Sequence, residues 1–241
     1  MAAFDDAEAL VAHAESELPA IRKAYEESLH AKTISTKLLI EIKNVFENLR
    51  SALDFAAQGL YDRHCKHAST RPKIYFPYAN ASQSKQEFEN NGRINACVPG
   101  LAASRPDVVT ALLDIQHFSP AGHGWLPKFM EMNNENKHQR LVPQERRETK
   151  EMRISNGGAT ISVGAGASIS VGHGASISIG GATIHGGQTF DVNNPPRMQG
   201  GKIEVITWVS FHFETTGEAV VPFLEAAVNG AKDIVGRLKG L

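Results

Sequence analysis

From Asp5 onward, Leu10, Ala14, Leu18, Ile21, Tyr25 and Leu29 recur at steps of three or four, the spacing of one apolar stripe on a helix. The stripe predicts a first helix of about 25 residues. Leu39, Ile42, Phe46, Leu49, Leu53, Ala56 and Leu60 then alternate steps of three and four, the seam that packs helices at a shallow angle. An antiparallel hairpin joined near Lys32 to Ser35 is therefore expected. After Arg63 the pattern breaks, and Lys73 to Tyr78 reads as an extended crossing segment or edge strand closed by proline. A short polar helix is expected around Ser84 to Asn91. Ser104, Pro106 and Asp107 form a helix-start signature ahead of Val108, Val109, Leu112 and Leu113. A further stripe runs through Trp125, Leu126, Phe129, Met130, Asn133, Asn134, Lys137 and Leu141, with polar residues where the period calls for apolar ones.

Between Ile154 and Phe190 the helical period vanishes. Ala159-Thr160-Ile161-Ser162-Val163 recurs as Ala167-Ser168-Ile169-Ser170-Val171 and Ala175-Ser176-Ile177-Ser178-Ile179, then more weakly as Ala182-Thr183-Ile184-His185. Strict alternation puts Ala, Ile and Val on one face of short strands and hydroxyls on the other. Glycines between the units supply turn positions. The expected form is a meander or short solenoid whose Ile161, Ile169, Ile177 face is covered either by the later strand and helices or by a second subunit, giving a homo-oligomer. Ile203 to Phe213 alternates as one long strand. Thr215 and Glu218 are spaced as a capping box, and Val221, Leu224, Val228, Ala231, Val235 and Leu238 predict a closing helix.

Composition narrows the function classes. With 25 Lys plus Arg against 26 Asp plus Glu, a net charge of −1, the chain exerts no global attraction on nucleic acid or anionic lipid, so any such contact must be local. Residues 154–190 contain no Asp, Glu, Lys or Arg and hold ten of the 21 glycines. Lacking an aspartate in each unit, the repeat cannot be a calcium-binding β-roll. Cys65 and Cys97 alone cannot staple 241 residues, and a reducing cytoplasm is the expected compartment. Neither a signal peptide nor a membrane span is expected, and no membrane partner. Phosphate-binding loops and serine-hydrolase elbows have no counterpart, so no cofactor is expected. His64, Cys65 and His67 lack the convergent third and fourth ligands that zinc needs, so no metal site is expected.

Two segments carry candidate chemistry. Leu49-Arg50-Ser51-Ala52-Leu53-Asp54 sets Arg50 and Asp54 one helical turn apart beside the packing seam. Asn133 to Leu141 gathers amide, ammonium, imidazole and guanidinium groups at a helix end. The LRSALD helix with a later N-x-x-KHxRL segment resembles a group of uncharacterised bacterial helical proteins with LRSALD- and N-x-x-KHxR-type helices, and more remotely the HEPN-like proteins. The likeness spans about residues 36–142 and, loosely, the final strand and helix. It implies a cytoplasmic, RNA-directed defence or toxin factor and a helical bundle. The HEPN nuclease motif itself, an Arg and a His with four to six residues between them on one helix, is missing: Arg63 and His67 have only three between them. A composite site could instead join Arg50 and Asp54 to Asn134, Lys137 and His138, with RNA as substrate. The simpler reading of the same residues, and the one the residue types favour, is a structural polar cluster tying two helices together.

The sequence thus predicts an α+β protein: a helical bundle over 1–150, a Gly-rich β-repeat insertion over 151–200, and a strand plus C-terminal helix over 201–241 completing the bundle. A HEPN-like, RNA-directed factor is the leading functional expectation, and a non-enzymatic scaffold assembling through its β-repeat is the alternative.

Overall fold

The computed structural model describes residues 2–31, 33–65, 72–138, 141 and 144–241, without the side chains of Asn136, Lys137, His138 and Trp208. The fold is α+β, in two compact units: 1–145 with 212–241, which is helical, and 146–211, which is β. Residues 201–211 fall with the β unit because their strand pairs there.

In the helical unit, α1 (Ala2–Ala31) buries Phe4, Ala7, Val11, Ala14, Leu18, Ile21 and Ser28. This stripe is rotated slightly from the expected one, since Val11 and Ser28 face inward in place of Leu10 and Leu29. Helix α2 (Thr36–His64) begins where the Ser35 hydroxyl accepts the Leu38 amide at 3.1 Å, a capping bond. Phe4 lies over Gly59, where a Cβ would come within 2.5 Å of its ring. The start of α1 thus meets the end of α2, and the two helices form the expected antiparallel hairpin.

Short helices follow: α3 (Lys85–Asn90), α4 (Arg93–Cys97), α5 (Leu101–Ser104) and α6 (Pro106–Ile115). The Ser84–Glu87 capping box starts α3, and its one buried side chain, Phe88, anchors it. Ser104 does not cap α6. It ends α5, its hydroxyl donating back to the Gly100 carbonyl, and α6 opens on Pro106 with Arg105 before it. Helix α7 (Trp125–His138) buries Leu126, Phe129, Met130, Met132 and Asn133.

The last helix, α8 (Val220–Lys239), packs on α1 and α2. Lys239 with Asp5 and Glu8, Lys232 with Glu15, and Arg22 with Glu225 stitch it antiparallel to α1 along the surface. Thr215 and Glu218 form no cap, since Thr215 donates to Glu135 and Glu218 pairs with Lys128. Phe46 is the hub of the core, with ring centroids 5.4 Å from Phe129, 5.7 Å from Phe213 and 6.2 Å from Phe223. No helix among the described residues is long and apolar enough to cross a membrane.

The β unit contains β1 (Gln144–Asn156), β2 (Ala159–Gly164), β3 (Ser168–Val171), β4 (Ser176–Ile179), β5 (Ala182–His185), β6 (Gln188–Asp191), β7 (Met198–Gln199) and β8 (Lys202–Phe213). The three full octads do not pair with one another, and only the third pairs with its successor, the weaker fourth unit. The hydrogen-bonded orders are β2-β1-β8, β3-β6 and β4-β5-β7. Two hairpins close on Gly157-Gly158 and Gly180-Gly181, both pairs at positive φ, as a two-residue primed turn requires. The apolar face is the expected one, but burial peaks at the last position of each of the three full units. Val163, Val171 and Ile179 are buried, whereas Ile161, Ile169 and Ile177 are half-buried. Met152, Ile154, Ile184 and Phe190 complete this core with Ile203 against it, so the face packs on residues of its own chain.

Candidate functional site

Arg50 and Asp54, both on α2, form an ion pair with Nε 3.2 Å from Oδ2 and side chains 13% and 26% exposed. The pair is one corner of a larger cluster. Asp54 Oδ1 accepts the Phe76 amide at 2.7 Å, so both carboxylate oxygens are engaged. Arg50 also donates through Nη1 to the Met130 sulfur on α7, and its guanidinium lies 5.4 Å from the centroid of the Tyr78 ring. Arg93, at the start of α4, lies 5.7 Å from the same ring. Two cations on one phenol ring make a cation–π arrangement.

The segment 72–80 that delivers Phe76 and Tyr78 is a crossing segment rather than a strand, because helices and side chains satisfy its backbone. Tyr75 donates its amide to the Cys97 carbonyl, and Ala79 donates to Gln116 Oε1 at 2.8 Å. Gln116, fully buried, returns Nε2 to the carbonyls of Pro77 and Leu112. Burial pushes the Cys97 thiol up, with Arg93 and Arg50 pulling it down and Asp54 adding to the rise.

The second expected segment reaches this cluster through Asn134, whose Nδ2 lies 3.4 Å from the Tyr78 hydroxyl. Beside that contact opens a cleft of about 370 Å³, walled by Pro127, Glu131 and Asn134 of α7 and by Tyr78, Asn80 and Ser82. Asn133, one residue earlier, points into the core and donates to the Phe46 carbonyl at 2.9 Å while its Oδ1 has no partner. That explains one polar residue in an apolar stripe. The side chains of Lys137 and His138 lie outside the described part of the structure, as do Gln139 and Arg140. Of the five expected site residues, Arg50 and Asn134 therefore meet at Tyr78, and Asp54 joins them through Arg50 and the Phe76 amide.

No family model, curated protein or solved structure matches the chain. The chemistry of the site accordingly rests on its own geometry. The sequence pattern does not single out Tyr78 or Arg93. Tyr78 has a weak signal, an aromatic placed directly after a proline in an extended segment, and Arg93 has none. His64, the first residue of the His-Cys-x-His group, sits 3.1 Å from the Arg105 guanidinium. Burial and the Arg105 and Arg63 charges lower its pKa, and those two cations would repel a metal ion. His67 lies outside the described residues.

Proposed function

We propose that the helical unit is a HEPN-like, RNA-directed module whose working groups are Asn134, Lys137 and His138 at the end of α7. In this reading Arg50 and Asp54 are positioning residues. Asp54 holds the crossing segment and Arg50, and Arg50 with Tyr78 holds the end of α7 against α2. The observation that supports it is the Asn134–Tyr78–Arg50 contact, which brings the two resembling segments to one ring although they are remote in the chain. In an RNA cleavage by this constellation, His138 would take the 2′-hydroxyl proton and that oxygen would attack the adjacent phosphorus. The 5′-oxygen would depart, taking up a proton, and Lys137 would hold the phosphate.

The test is a labelled single-stranded RNA of mixed sequence incubated with the full chain. Wild type should bind and cut it. His138→Ala should bind without cutting at unchanged melting temperature, and Lys137→Ala should lower the salt-dependence slope by about 0.7. Equal cutting by His138→Ala and wild type would refute the catalytic assignment. Absence of RNA binding together with sedimentation as an assembly would put the scaffold reading in its place.

A further inference from the structure

The turn from β5 to β6 and the return of the chain to β7 enclose a second cleft, of about 610 Å³, wholly inside the β unit. A space of that size suits a small organic ligand rather than a bare ion. Its floor is backbone. A Cβ on Gly186 would stand 2.0 Å from the Gly172 carbonyl oxygen, and one on Gly187, at φ 83°, would stand 2.8 Å from the His173 ring. The octad turn therefore presses on these glycines from behind and keeps them free of side chains. The Gly187 amide donates to the Val171 carbonyl at 2.7 Å, which fixes the floor to β3.

One side chain sets both rims. Gln188 Nε2 donates to the carbonyls of His185 at 2.6 Å and Arg197 at 3.0 Å, and Gln188 Oε1 accepts the Arg197 amide at 2.9 Å. These bonds use only main-chain atoms of residues 185 and 197. The His185 imidazole and Arg197 guanidinium are exposed, and both residues line the cleft. Among the described residues no carboxylate lines the cleft. The acid nearest along β6, Asp191, accepts the Asn193 and Asn194 amides at Oδ1. The lining thus selects for negative charge, and a guanidinium recognises phosphate through paired donors. Gln199 and Asn194 Oδ1 add amide groups suited to a polyhydroxylated frame, whereas the Thr189 hydroxyl is paired with Ser170 Oγ at 2.8 Å and Asn194 Nδ2 donates to the Thr189 carbonyl at 3.2 Å. Among the described residues no Phe, Tyr or Trp ring lines the cleft to stack a base.

We propose that this cleft binds a phosphorylated sugar, with the phosphate on Arg197 and His185 and the hydroxyls on the Asn194 and Gln199 amides. The proposal concerns the β unit and is independent of the RNA reading. The experiment is calorimetric titration of the full chain with ribose 5-phosphate, with inorganic phosphate and free ribose as separate arms. Ribose 5-phosphate should bind saturably, and each fragment at least about tenfold more weakly. Arg197→Gln should weaken binding by about tenfold or more at unchanged melting temperature, because the Gln188 clamp needs only the main chain of residue 197. No saturable binding, unchanged affinity in Arg197→Gln, or inorganic phosphate binding as tightly as ribose 5-phosphate would each overturn the proposal. Should Arg197→Gln fail to fold, Arg197→Lys decides: it keeps the charge and loses the paired donors, and wild-type affinity in that variant would overturn the assignment.

Discussion

Replacing Asp54 by alanine separates a latch from a catalytic carboxylate. The change strips Oδ1 from the Phe76 amide and Oδ2 from Arg50. Phe76 is 1% exposed, so its amide finds no replacement in water, a loss of about 1–3 kcal/mol. Arg50 is largely buried, but Asp54 is a quarter exposed, so solvent screens part of the lost attraction and about 1 kcal/mol is added. A total of about 2–4 kcal/mol corresponds to a drop of about 5–15 °C in melting temperature for a unit of this size. Asp54→Asn keeps an acceptor for the amide and should cost about 1 kcal/mol. Thermal melting followed by circular dichroism gives the magnitudes, and hydrogen exchange at the Phe76 amide gives the cause. Protection should be lost in Asp54→Ala and retained in Asp54→Asn. An Asp54→Ala protein within about 0.5 kcal/mol of wild type, with the Phe76 amide still protected, would refute the latch.

Three further outcomes are expected. Ile184→Ala, at a fully buried position of the β core, should cost about 2–5 kcal/mol in urea unfolding, whereas Ser162→Asp on the exposed hydroxyl face should stay within about 0.5 kcal/mol. At Gly230 a Cβ would stand 2.1 Å from Trp125 Nε1, so Gly230→Ala should cost about 1–3 kcal/mol and shift the tryptophan emission. Burial lowers the pKa of His123 despite Asp233, whose Oδ2 lies 3.2 Å from Nε2 but off the hydrogen-bonding direction, and burial with Arg105 and Arg63 lowers that of His64. Both rings resist protonation when folded, so their contribution is present above the unfolded value of 6.5 and is lost as pH falls through the folded values. Melting temperature should decline with acidification below that point, less steeply in His123→Gln.

The long helices were legible because burial on one face leaves a period that nothing else in a sequence imitates. Leu49, Leu53, Ala56 and Leu60 mark it for α2, and all four are fully buried. Caps were less legible. Ser84–Glu87 and Ser104 present similar local patterns, yet only the first caps a helix, because the Ser104 hydroxyl is taken by the preceding turn. The crossing segment could not be told from an edge strand, since the difference lies in its partners, Asp54 and Gln116, which are remote in sequence. In the candidate site Arg50, Asp54 and Asn134 were visible as charge and amide on or beside an apolar seam. Tyr78 and Arg93 were not, because stacking on a ring leaves no spacing rule.

The octads also bear on how such a chain can change length. In a solenoid each unit templates the next, so duplication merely adds a rung. Here β2 depends on β1, β3 on β6 and β4 on β5. A duplicated octad would arrive with no complementary strand waiting for it, and its amides and carbonyls would go unmatched. The number of full octads is therefore locked by the strands each already pairs with, and length variants of this unit should gain or lose material at the turns, not by whole octads.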